Sequence, residues 1–171
     1  NTIAAAKLLN HEKGINLGAR RITISTVGII GKIKKFTNEK HPFRLAVSLN
    51  GSNQDQRLQI MPITKNQTFQ NLLEAIKGYT NQSRKRITIE YVLIEGINNS
   101  KKDSLKLIEI LSHIKCKLNV IPYNEIDSIY KRPTEEGSHV FLNPLKNAPF
   151  PVTGRWSKGQ DIDAGCGQLA T

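Results

Sequence analysis

Ile87-Thr88-Ile89-Glu90-Tyr91-Val92-Leu93-Ile94 is the stretch on which the fold turns. Its β-branched and aromatic residues favour an extended chain. Its near-continuous apolarity predicts a strand buried on both faces, as in a parallel sheet covered by helices. The basic turn Arg84-Lys85-Arg86 leads in, and Glu95-Gly96-Ile97-Asn98-Asn99-Ser100 turns the chain away. Helical patterns lie on either side. Upstream, Phe69, Leu72, Leu73, Ile76 and Tyr79 recur at helical spacing behind Thr68. Downstream, a helix from Lys102 to His113 places Leu105, Ile108, Leu111 and Ile114 on its buried stripe.

Moving outward, Arg20 to Val27 reads as a strand ended by Gly28, and Lys32 to Phe36 as a short basic helix. Phe43 to Leu49 is a second strand. It closes on the turn Asn50-Gly51-Ser52-Asn53, where Ser52 or Asn53 can cap the next segment. Cys116 to Pro122 is a fourth strand. Strands alternating with helices form parallel sheets with right-handed crossovers, so the fold class is α/β. Two architectures satisfy that order, an open doubly wound sheet and a (β/α) barrel. No glycine-rich phosphate loop joins a strand to a helix, which speaks against dinucleotide binding. In either architecture the loops after the strand C-termini share one rim. Here that rim holds Ser25-Thr26, Ser48-Leu49-Asn50, Glu95-Gly96 and Tyr123-Asn124. Such hydroxyls, amides and carboxylates suit a polar ligand with ribose or amino-acid groups.

Beyond Asn124 the regularity decays. Tyr130-Lys131-Arg132-Pro133 is a basic aromatic loop suited to phosphates or a base. Gly137, Pro144 and Pro149 interrupt any long helix, and Pro151-Val152-Thr153 forms a short last strand. The chain then runs into Asp161-Ile162-Asp163-Ala164-Gly165-Cys166-Gly167-Gln168-Leu169. Glycines on both sides of Cys166 clear space for large groups to approach its sulfur.

A chain of 171 residues buries one ordinary core, and its net charge of +11 suits a polyanionic partner such as nucleic acid. No apolar run reaches the roughly 18 residues of a membrane helix, and no signal peptide is visible at the start. The first residues are already helical and lack an initiator methionine, so the chain reads as a piece of a longer protein. Two cysteines, Cys116 and Cys166, make no disulfide framework, which fits a reducing intracellular compartment, and four scattered histidines offer no metal-ligand spacing.

These segments together resemble one family. Arg20-Arg-Ile-Thr-Ile-Ser-Thr-Val-Gly28, Leu45-Ala-Val-Ser-Leu49, Met61-Pro-Ile63, Ile89-Glu-Tyr-Val-Leu93, Asn119-Val-Ile-Pro-Tyr-Asn124 and the Cys166 segment resemble the RlmN/Cfr group, in order and over nearly the whole chain. The resemblance is closer to RlmN than to Cfr. It implies a partial (β/α) barrel of the radical S-adenosylmethionine (SAM) type, about four of six βα units, followed by the cysteine-bearing segment. Residues 1–133 would be the C-terminal part of that barrel and 134–171 its extension. It implies an enzyme, with methylation of an adenine of 23S ribosomal RNA (C-2 in RlmN, C-8 in Cfr relatives) and with transfer RNA as a further substrate.

Carried over residue by residue, the family's SAM contacts fall on Ser25, Ser48, Leu49, Asn50 and Asn124, and its methyl-carrying cysteine on Cys166. In that mechanism the thiolate takes a methyl from SAM. A second SAM, cleaved reductively at a [4Fe-4S] cluster, then starts radical transfer of that carbon to the base. Thiolate suits the task as a strong nucleophile whose sulfur can later leave. Lys131, Arg132, Arg155 and Lys158 are the RNA-contact candidates, whereas Cys116 at a strand start is a packing residue. The resemblance further implies an electron donor, a monomer free of membranes, and a cytoplasmic or organellar setting.

This sequence departs from the family in several places. The cluster-binding cysteine motif, the glycine-rich SAM motif, the general base and the resolving cysteine all precede this region in the family, so metal ligands are expected to be absent and the chain alone inactive. Asn50 stands where the family has histidine, and Gly165 where it has alanine. The competing reading is a diverged fragment that keeps the fold and only binds SAM or RNA.

Overall fold

The computed structural model describes residues 1–125 and 129–154, so Arg155, Lys158 and Cys166 lie outside the described residues. Five parallel strands form one sheet: β1 (Thr23–Thr26), β2 (Arg44–Ser48), β3 (Ile87–Leu93), β4 (Cys116–Pro122) and β5 (Val152–Gly154). Their order in the sheet is their order in the chain. A doubly wound sheet reverses direction at a switch point. This one never does, and steady winding is the barrel alternative. The short segment at Val152 supplies a fifth strand where about four barrel units were expected.

The helices are α1 (Thr2–Asn10), α2 (Ile30–Asn38), α3 (Gln54–Ile60), α4 (Phe69–Ser83), α5 (Lys101–Leu111) and α6 (Glu135–Leu145). Four begin on side-chain caps: Asn53, Thr68, Ser100 and Thr134 each accept a hydrogen bond from a backbone amide in the first turn. Ser100 and Asp103 complete a reciprocal capping box. Each cap satisfies an amide that the helix itself leaves open, worth about 1 kcal/mol.

The core lies on one side of the sheet. Leu45, Val47, Ile87, Ile89, Tyr91, Leu93, Leu118 and Val120 meet Ile33, Phe36, Leu72, Ile76, Leu107, Leu111 and Phe141 from the helices. Tyr91 stacks on Phe141 with ring centroids 5.3 Å apart. Each such side chain contributes roughly 1.5–3 kcal/mol on burial, so this layer dominates stability.

The other side of the sheet corrects the expectation for β3. Its residues alternate buried and half-buried, with Thr88, Glu90 and Val92 on the half-buried side. β4 alternates in the same way, with Lys117, Asn119 and Ile121 outward. Among the described residues, helices pack only one face of the sheet, and the opposite face carries Ser48, Glu90, Asn119 and Thr153. Thr88 and Glu90 are the period-two mark of such a strand, and the surrounding apolar letters obscure it.

Three further expectations change. In α5 the buried positions are Asp103, Ser104, Leu107 and Leu111, while Leu105 is half exposed. Gly137 and Pro144 sit inside α6 without breaking it. Gly137 falls in the first turn, where Thr134 caps its amide at 3.0 Å, and Pro144 falls in the last turn, so the ring costs one hydrogen bond near an end. The third concerns α3, a helix with no apolar periodicity to announce it in the sequence. α6 and β5 continue the strand–helix alternation beyond residue 134.

Candidate functional site

The C-terminal ends of parallel strands collect on one rim, and the candidate residues are found there. Ser25 is exposed on β1, level with Ala46 of β2. Ser48 ends β2 and pairs in register with Glu90, which pairs with Asn119, which pairs with Thr153. Register partners share a face, so these four side chains form a row across the open surface. The Ser48 hydroxyl donates to the Glu90 carboxylate at 3.4 Å, and the Thr153 hydroxyl donates to Asn119 Oδ1 at 3.1 Å.

Leu49 is fully buried and belongs to the core. Asn50 is buried too, and its backbone takes the left-handed conformation (φ 55°) at which asparagine is among the better-tolerated residues. Its Oδ1 accepts from Val92 N at 3.0 Å, and its Nδ2 donates to Met61 Sδ at 3.4 Å. Both ends of the amide therefore serve the framework. Asn124 follows β4 and is buried, with Arg132 Nη1 donating to its Oδ1 at 3.0 Å.

Two residues that sequence reasoning missed hold this rim together. Arg57 of α3 is buried without a carboxylate among its hydrogen-bond partners. Its Nη1 donates to the carbonyls of Ser48 and Leu49, each at 2.7 Å, and its Nη2 donates to the Val27 carbonyl. One planar fork thus ties the end of β1 to the end of β2. Burial lowers the guanidinium's affinity for its proton, to a pKa of about 10. At neutral pH it stays charged, and the carbonyl dipoles take the place of water. Gly28 is required beside it. With φ +93°, a Cβ at that position would lie 2.6 Å from Arg57 Nη2.

Asn98 does the same for β2 and β3. Fully buried, it donates from Nδ2 to Asn50 O (3.0 Å) and Val92 O (2.8 Å), and accepts at Oδ1 from Ile94 N (2.7 Å). Tyr91 adds a hydroxyl bond to the Asn98 carbonyl at 2.8 Å. The strand ladder stops at Ser48 and Glu90, and these amides extend it by one step. Arg57 sits in a short polar helix and Asn98 in a turn, so neither carries a pattern that marks it. Glu90 did leave a signal, a carboxylate within an otherwise apolar strand.

Glu95, expected as a ligand group, is engaged at α6 instead: its Oε2 accepts from Thr134 N at 3.2 Å and Asn99 Nδ2 at 3.0 Å. Cys116 starts β4 on the far rim, buried, and burial pushes its thiol up to about 11. That is a packing cysteine, protonated and inert near neutral pH. Among the described residues, no cluster of His, Cys, Asp and Glu side chains could hold a metal ion.

The steadily wound parallel sheet that carries this rim has a counterpart among the solved radical SAM methyltransferases. The crystal structure of one from Sphaerobacter thermophilus matches 99% of this chain with a TM-score of 0.92 and 36% identity, over 50% of its own length. No protein-family model matches the chain. It is 41% identical over 169 residues to a protein of Alkaliphilus oremlandii, and 41% identical over 171 residues to one of Leptospira interrogans. Both relatives are named probable dual-specificity RNA methyltransferase RlmN. The chain is therefore similar to these proteins along nearly all of its own length. It covers 98% to 100% of itself in these matches but spans about half of each relative, 49% and 48%.

Proposed function

We propose that the protein carrying this chain is a radical SAM methyltransferase that adds a methyl group to C-2 of an adenine in 23S ribosomal RNA and in transfer RNA, in a reducing cytoplasmic or organellar compartment. The observation that carries this reading is identity near 41% along the entire chain to proteins named for dual RNA specificity. The +11 charge supports a polyanionic substrate. Among the described residues, no helix is long and apolar enough to cross a membrane.

The rim fits SAM in its donor set. Ser25 and Ser48 offer hydroxyls, Glu90 a carboxylate and Asn119 an amide on the open face, while Asn124 is held at the end of β4 by Arg132. Bound there, SAM would supply the methyl group and, with a [4Fe-4S] cluster, the radical that activates it. The described residues do not fit the cluster itself: Cys116 is buried and protonated, and no ligand set surrounds it. Its ligands, and the contact with an electron donor, belong to the half of the relatives' length that this chain does not span.

This chain's contribution to the chemistry is Cys166. Its thiolate accepts the methyl group, forming an S–CH3 bond as the sulfonium C–S bond breaks and a neutral thioether leaves. It then holds that carbon for the adenine. In the natural protein, Cys166→Ala is expected to abolish RNA methylation while leaving SAM binding within about twofold. Mass spectrometry of peptides from methylating cells is expected to find a methyl group on Cys166. Normal methylation by the alanine variant would exclude the carrier role.

The diverged-fragment reading draws on one observation, that Asn50 stands at the rim with both ends of its amide committed internally. Unaltered SAM binding with no methyl transfer by the natural protein would decide for it.

A further inference from the structure

We infer that Glu90 is a positioning residue of the SAM site: it fixes the Ser48 hydroxyl so that Ser48 accepts, rather than donates, a hydrogen bond from the ligand. This rests on the proposed reading of Ser48 as a SAM contact.

Ser48 has little freedom apart from its side chain. Its carbonyl is held by Arg57 at 2.7 Å, and its backbone is paired in register with Glu90. What remains free is the torsion of the side chain and the direction of its single O–H. A serine hydroxyl has one proton to give and two lone pairs with which to accept. The Glu90 carboxylate stands 3.4 Å from that oxygen, on the same face of the adjacent strand. A carboxylate only accepts, so the shared proton comes from Ser48. The serine lone pairs are then turned toward the open face. A ligand group meeting them must bring an N–H or O–H, and the donors available on SAM are its ribose hydroxyls and its amines.

Among the described residues, no ion pair neutralises Glu90. The ion pairs there join Lys35 or His41 to Glu39 and Lys106 to Glu109. Glu90 is also half-buried on the face that the described helices leave uncovered. The register places it one strand from Ser48 on one side and Asn119 on the other. It is thus the acidic centre of the row, next to the contact that matters.

The test is a double-mutant cycle on SAM affinity, measured by calorimetry on the natural protein with SAM alone as the probe. Ser48→Ala and Glu90→Ala should each weaken binding about tenfold, the worth of one hydrogen bond. In the Ser48→Ala background, Glu90→Ala should cost nothing further, because there is no hydroxyl left to orient. Glu90→Gln keeps an accepting oxygen and should stay within about threefold of the parent. Melting temperatures check that each variant folds, and Glu90→Thr replaces the alanine if that one does not. Full affinity in Glu90→Ala together with a loss in Ser48→Ala would overturn this inference and leave the SAM reading standing. No loss in Ser48→Ala, or no SAM binding by the parent, would overturn the reading itself. Additive losses would mean that Glu90 touches the ligand directly, and would also overturn the positioning role.

Discussion

Asn98 and Arg57 illustrate how buried polar side chains can complete a sheet where its ladder runs out. Unpaired buried amides and carbonyls cost about 1–3 kcal/mol each, so the loop ends of β2 and β3 need partners away from water. Asn98 satisfies three backbone groups with one side-chain amide. Replacing it with alanine should cost about 2–4 kcal/mol, since all three groups lose their partner at once. The more informative change is Asn98→Asp, nearly identical in shape. It would set a carboxylate oxygen against the carbonyls of Val92 and Asn50, where the amide now donates at 2.8 and 3.0 Å. Both variants should unfold at lower urea than the parent, and Asp at neutral pH should be no better than alanine. If Asp unfolds with the parent, the amide is not needed. Arg57 shows the same logic with charge: a guanidinium satisfied by carbonyls and sulfur alone marks a place where strand ends must be gathered.

Among the elements, α5 makes the sharpest prediction. Its apolar letters allow two stripes. One holds Leu105, Ile108, Leu111 and Ile114, and the other holds Ser104, Leu107 and Leu111, with Asp103 drawn under by its bonds to Ser52 and Gln56. The capping box decides between them, because Asp103 must face both the Ser100 amide and the α3 side. Leu107 is fully buried and Leu105 is 50% exposed. Leu107→Ala should therefore destabilise by about 2–5 kcal/mol, and Leu105→Ala by no more than about 0.5 kcal/mol, as read from urea unfolding. Equal effects would refute the observed rotation of the helix. The same contrast explains what could be read in advance. Element order, strand ends and the serine positions follow from local patterns, so they were legible. The rotation of α5, the one-sided exposure of β3 and the roles of Arg57 and Asn98 depend on partners from other elements, Val27 for Arg57 and Asn50 for Asn98 among them, which no local window of sequence joins. The mask over β3 was its own apolarity: Val92 and Ile94 hide the alternation that Thr88 and Glu90 begin.

For the molecule as a whole, charge sets the terms on which the proposed substrate is met. A net +11 with three ion pairs among the described residues leaves most of the described lysines and arginines outside ion pairs, where they can attract an anion. A field of this kind acts through counterion release, so affinity falls steeply with salt whatever the base sequence. The two basic residues of the Tyr130 loop divide the work. Lys131 is exposed. Arg132, half-buried, donates to Asn124 Oδ1 at 3.0 Å and to Tyr123 O at 3.4 Å, so it serves the rim and not the surface. Lys131→Ala should lower the slope of log affinity for RNA against log salt by roughly 0.7–0.9, the share of one phosphate contact, with SAM affinity unchanged. Arg132→Ala should leave that slope alone and weaken SAM binding by removing one hydrogen-bond partner of Asn124. Filter binding of a 23S ribosomal RNA hairpin at several salt concentrations, alongside SAM calorimetry, separates the two. Matching losses in slope from both variants would place Arg132 on the RNA and overturn its assignment to the rim.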